Sequence, residues 1–150
     1  MRQTGDSIIA TIDTDAFLCL NNMHVLVPKE DNHSPKFILG ILNSRLITWY
    51  YHILNPEVGE ALAEVKKTNV AQLPIRTIDF TIPAEKAAHE KMVALVTSML
   101  EMHKSKAGAK TQSEIDVYER QIRAVDGQID NLVYELYGLS EEEIGIVEQK

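Results

Sequence analysis

Four stretches carry side chains able to act on a nucleic acid. Lys66-Lys67-Thr68-Asn69 sets two cations, a hydroxyl and an amide side by side in a polar stretch. Lysines next to the backbone amides of a helix start suit a phosphate, and phosphate contacts usually outnumber base contacts. The plainer reading is that Lys66 and Lys67 are solvated charges paired with Glu60 and Glu64. Arg2-Gln3-Thr4-Gly5 comes next, because arginine can take guanine in a bidentate geometry and glutamine can do the same for adenine. Its plainer reading is a frayed terminus. Asn21-Asn22, with His24, could offer amides to base edges, although paired asparagines more often form a hairpin turn. Pro56-Glu57 followed by Glu64-Val65-Lys66 has the carboxylate, carboxylate-x-lysine order of a magnesium-dependent nuclease. The spacing is tight, the first acid is a glutamate, and the residues between favour helix over the β-hairpin such a site needs.

Other reactive types are scattered. Cys19 is a lone cysteine, so the chain has neither an internal disulfide nor a zinc-site spacing. The histidines His24, His33, His52, His89 and His103 show no metal-ligand spacing and read as surface or packing residues. Charge bounds what the whole surface can bind. The net charge is −7, with 7 Lys/Arg against 9 Asp/Glu in residues 1–80 and 8 against 13 in residues 81–150. Phosphate contacts need local positive charge, so a polyanion can be met only where basic groups gather on one face. No apolar run approaches the roughly 20 residues of a membrane span, no signal segment opens the chain, and a cytoplasmic location is the default.

Those side chains need elements to position them. At 150 residues and 45% hydrophobic, the chain can bury one core. Ser7 to Ile12, Phe17 to Leu20 and His24 to Val27 read as short strands, separated by the turn formers Asp13-Thr14-Asp15 and Asn21-Asn22. A strand so near the start, with no partner before it, reads as a piece of a longer polypeptide. Pro28 to Ser34 is a polar loop. Ser34-Pro35 gives an N-cap with proline at the first helical position, and Phe37, Ile41, Leu42, Leu46, Trp49, Tyr50 and Ile53 recur at helical spacing. One helix is predicted here, ending before Asn55-Pro56. Thr68-Asn69 is predicted to cap a one-turn helix through Gln72, and Ile75 to Phe80 to be extended. Pro83-Ala84 opens a long helix carrying Met92, Val96, Met99 and Met102, and the methionine stripe should pack on its neighbour. A turn near Gly108 leads to a second long helix from Ile115 to Leu136, with Gly138 as its C′ glycine. Ser140-Glu141-Glu142-Glu143 is a capping box for a last short helix. The fold class expected is α+β: a small strand-rich recognition region (1–80) with one packed helix, then a helical hairpin (84–150) with a short terminal helix.

The ordered set of Ser34-Pro35-Lys36-Phe37-Ile38-Leu39, Leu42-Asn43-Ser44, Val65 to Ile75 and a long helical hairpin resembles a known family. It is similar to the target-recognition domains of type I restriction specificity subunits and to TaqI-like carboxy-terminal specificity domains. The latter follow an adenine-specific methyltransferase, often in fused type IIG restriction enzymes. The closing Ile129-Asp130-Asn131-Leu132-Val133-Tyr134-Glu135-Leu136-Tyr137-Gly138-Leu139 resembles the end of those enzymes. The resemblance implies that the first part reads bases in the major groove of double-stranded DNA and that the hairpin is a spacer and docking surface. It also implies that S-adenosylmethionine, and magnesium for a nuclease, act elsewhere in a parent protein. Asn55-Pro56-Glu57-Val58 departs at two positions from the Asn-Pro-Pro-aromatic methyltransferase motif, and the chain has no glycine-rich cofactor loop. The fragment is therefore expected to have no catalytic residues, to serve the methyltransferase or nuclease part of the same polypeptide, and to show homodimerisation in isolation. Tyr134 and Tyr137 would dock onto the catalytic part. The alternative, from a different class, is a helical-hairpin interaction module that touches no DNA.

Overall fold

The computed structural model describes residues 1–14, 17–19, 22–27, 34–55, 57, 59–60 and 63–149. Asp15, Leu20, Asn21, the loop residues 28–33 (His33 among them), Pro56 and Val58 lie outside the described residues. The helices are α1 (Pro35–Leu42), α2 (Arg45–Leu54), α3 (Lys67–Val70), α4 (Pro83–Gly108), α5 (Gln112–Tyr137) and α6 (Glu141–Glu148).

The α+β expectation is overturned: among the described residues the protein is helical and has no sheet. Extended pairing is limited to two isolated antiparallel bridges, Arg2 with Met23 and Thr4 with Glu64. The physical reason is visible at Ala10. Its N–H donates to Asn43 Oδ1 at 2.9 Å, and its carbonyl accepts from Asn43 Nδ2 at 3.0 Å. A side-chain amide satisfies the backbone groups that a neighbouring strand would have taken. Ile8 is buried among helical side chains, so residues 7–12 lie on the helices.

The single helix predicted from Ser34 to Asn55 is two. Ser34 accepts from Lys36 N and proline follows, as expected for the start of α1. Asn43 then ends α1, and Ser44 caps α2 by accepting from Ile47 N. Ser44 Oγ also donates to the Ile41 carbonyl at 2.7 Å, so this buried hydroxyl serves both helix ends. Apolar spacing continues unbroken across Asn43-Ser44, which is why periodicity alone missed the break.

The hairpin of α4 and α5 is the scaffold. Each helix has 26 residues, a length of roughly 39 Å. Thr111 and Glu114 form a capping box on α5, Gly138 closes it in the left-handed conformation at φ 68°, and Ser140 with Glu143 caps α6. The α1 helix packs on α4, and α2 packs on α5 and α6. The α1–α4 approach is close because Gly40 has no side chain: a Cβ there would lie 2.4 Å from Met92 Sδ and 3.0 Å from Val96 Cγ2. Met92 thus faces α1, a correction to the expected methionine stripe.

A polar clamp joins α2, α5 and α6. Asp130, buried on α5, accepts from Arg45 N at the start of α2 at 2.9 Å. The Arg45 guanidinium lies 3.1 Å from Asp130 Oδ2, outside hydrogen-bond geometry, and 3.7 Å from Glu148 of α6. Burial pushes the Asp130 carboxyl up to about 6, against the lowering effect of Arg45. Burial also pushes the Tyr134 hydroxyl up to about 12.

Candidate nucleic-acid interface

Three segments distant in sequence meet at one rim. Gln3 N donates to the Asn22 carbonyl at 3.0 Å, and His24 N donates to the Met1 carbonyl at 2.8 Å. On the other side, Gly5 N donates to Ala63 O at 2.8 Å and Val65 N to Gln3 O at 2.6 Å. Residues 1–5 therefore lie between 22–24 and 63–65. Side chains alternate across such pairing, so Arg2 and Thr4 share a face with their bridge partners Met23 and Glu64, and with Lys66 two residues on. The structure thereby gathers Arg2, Gln3, Asn22 and Lys66, four of the seven residues singled out by type, and continues directly into Lys67, Thr68 and Asn69 on α3.

Two buried side chains hold this rim in place. The Tyr51 hydroxyl on α2 donates to Glu64 O and accepts from Lys66 N, both at 3.3 Å. His24 is buried, and its Nε2 contacts the Val65 carbonyl at 2.6 Å. A carbonyl only accepts, so Nε2 carries the proton. The reading of His24 as a base contact is corrected: it positions the rim from behind. Sequence reasoning missed Tyr51 in this role and missed Met23 and Thr4 on the exposed face. Alternation around Arg2 would have flagged Thr4, but its pairing across 60 residues has no local signal.

The cations of the rim differ. Lys66 pairs with Glu57, whose carboxylate also accepts from Glu64 N. The expected pairing with Glu60 or Glu64 is replaced by this one. The hydrogen bond from Lys66 draws the Glu57 carboxyl below its ordinary range, and the same bond raises the lysine. Arg45 and Arg76 are paired with acids, and Lys36 donates to Thr97. Among the described residues of the first 80, Arg2 and Lys67 are exposed and have no side-chain partner. Arg2 lies over Gly5, where a Cβ would sit 2.5 Å from its Nη2 and where φ is +128°. Thr68 and Asn69 lie inside α3, whose N-cap is Lys66, with no side-chain capping bond. They therefore do not precede the helix, as expected from sequence.

Other predicted sites fare differently. Glu57, Glu64 and Lys66 do come together, but the carboxylate of Glu57 is taken up by Lys66 and the Glu64 amide. Among the described residues no group of three or more His, Cys, Asp or Glu is placed to hold a metal. The largest groove, about 580 Å³, runs between residues 8–11, α1 and the hairpin. Its walls are apolar, including Ile8, Leu39, Val96 and Ile129, and Asn43 in it is already bonded to Ala10. That lining does not fit the nucleoside and amino-acid groups of S-adenosylmethionine. Tyr134 is buried, and the Tyr137 hydroxyl donates to Pro74 O and accepts from Arg76 N at 3.1 Å, so both face inward and not toward a partner. No described helix is long and apolar enough to cross a membrane.

Comparison with known proteins bears on the same region. The type II restriction enzyme and methyltransferase RM.Eco57I of Escherichia coli is 29% identical over 120 residues, covering 77% of this chain. The chain spans 11% of that relative's length. No solved structure matches it. The TaqI-like C-terminal specificity domain matches residues 1–75, which contain the whole rim together with α1, α2 and α3. Half the chain is thus accounted for by one family, and the protein belongs to the TaqI-like C-terminal specificity domains.

Proposed function

We propose that this chain is a sequence-specific DNA-recognition module of a restriction–modification enzyme. It directs an adenine-specific methyltransferase, and an endonuclease where one is fused, to its site on double-stranded DNA. It performs binding only; methyl transfer would use S-adenosylmethionine in the methyltransferase body. The observation that carries the reading is the rim, where Arg2, Gln3 and Asn22 are gathered beside Lys67 within the family-matched residues. Lys67, and Lys66 once it leaves Glu57, would neutralise phosphates. Arg2, Gln3 and Asn22 would reach base edges, and Thr68 and Asn69 would fix register. Residues 1–80 would do the recognising and residues 84–150 would act as spacer.

The test is a fluorescence-anisotropy titration of a random-sequence duplex against salt. Lys67→Glu should weaken binding at least about 10-fold and lower the salt slope by about 1, as expected for each lost phosphate contact. Lys104→Glu, at the far end of the hairpin, should leave both unchanged. Equal effects of the two would count against the rim.

One observation favours the second reading, a protein-interaction role for the hairpin. The fully buried residues of α4 and α5 are confined to Met92, Val96 and 129–134, so the distal part of the hairpin projects beyond the α1–α2 layer. Such a projection suits subunit joining, including homodimerisation.

A further inference from the structure

The ladder between residues 1–3 and 22–24 stops in the middle of an apolar run. Met1 and His24 exchange both backbone bonds: Met1 N donates to His24 O at 3.0 Å and His24 N donates to Met1 O at 2.8 Å. The register is antiparallel, with Arg2 opposite Met23 and Gln3 N bonded to Asn22 O. Beyond His24 the chain continues as Val25, Leu26 and Val27, exposed to 68%, 48% and 76%, outside any helix or bridge. A β-branched, apolar, unpaired run at the end of a ladder is an open edge. Among the described residues nothing pairs with it.

We propose that Val25–Val27 is a docking edge for an extended polypeptide segment that runs antiparallel to it and leads in line into Met1. The existing register fixes the details. In an antiparallel ladder, pairs that exchange both bonds alternate with pairs that exchange none. Met1–His24 is a bonded pair, so the second residue before Met1 bonds with Leu26, and the first and third face Val25 and Val27 without bonding. Leu26 shares the inner face with buried His24, so the residue opposite it is apolar. Val25 and Val27 continue the outer face of Met23 and Arg2, so the docked segment lengthens the surface that presents Arg2. Continuity with the ladder selects this occupant over a strand from a second copy, which would have to end at the Met1 nitrogen.

Amide hydrogen exchange tests the register. Two extended forms are compared, one with Val-Thr-Val-Thr joined before Met1 and one with four glycines. The His24 amide, already bonded to Met1 O, reports in both that the ladder is intact. The proposal predicts that the Val-Thr-Val-Thr form slows exchange at Leu26 roughly 10-fold relative to the glycine form, the effect of one added ladder bond. Val25 and Val27 exchange alike in the two. Equal exchange at Leu26 in the two forms, protection at Val25 and Val27 instead, or protection that grows with protein concentration would each overturn it.

Discussion

At the scale of single residues, the protein separates groups that hold from groups left free to bind. Most cations of the first 80 residues are committed: Arg45 to Asp130 and Glu148, Arg76 to Glu85, Lys66 to Glu57. This commitment reconciles an acidic chain with a basic rim, because Arg2 and Lys67 stay free of carboxylates. Asp130 shows what commitment costs. Its folded carboxyl sits at about 6, raised from 3.8, so between those values the folded protein binds a proton that the unfolded chain releases. The contribution is full below pH 3.8 and is lost as pH rises through about 6. Asp79, Glu114 and Glu143, held below their ordinary range by hydrogen bonds, act in the opposite direction as pH falls. The difference between wild type and Asp130→Asn isolates the one group. Urea midpoints should show wild-type stability falling relative to Asp130→Asn from pH 4 to 6.5, on the order of 2 kcal/mol. Parallel curves would contradict the assignment. Type alone picked out Arg2 and Lys67. It could not show that Lys66 is engaged or that His24 faces inward, because both depend on partners far along the chain.

At the scale of elements, the rim depends on two contacts made by α1. Gly40 permits the close approach to Met92 and Val96. Gly40→Ala must displace buried side chains, and thermal unfolding should register a loss of about 1–3 kcal/mol, the usual cost of overpacking. Asn43 takes the place of a strand partner for Ala10. Asn43→Ala should cost about 1 kcal/mol and speed amide exchange at Ala10, leaving the α4–α5 hairpin amides unchanged. Helices were readable where cap residues and 3.6-residue spacing coincided, as at Ser34-Pro35, Gly138 and Ser140-Glu143. The strands were misread because Ser7–Ile12 has the composition of a strand while its backbone is served by a side chain. The break at Asn43-Ser44 was hidden because the apolar spacing runs through it.

At the scale of the whole molecule, one core runs from Ile8 to Val147 and ties the family-matched residues to the hairpin. Tyr137 strengthens that tie by bonding Pro74 and Arg76. A rigid hairpin carrying a recognition rim at one end explains why the acid excess falls in residues 81–150: those residues face away from the polyanion. The account's central claim is that DNA meets the rim and not the hairpin. The most direct measurement is backbone-amide NMR of the whole chain titrated with duplex DNA at low salt. The account predicts shifts concentrated at Arg2, Gln3, Asn22 and Lys67 to Asn69, with residues 97–124 silent. Shifts confined to the hairpin, or none at the rim while the duplex is bound, would contradict it.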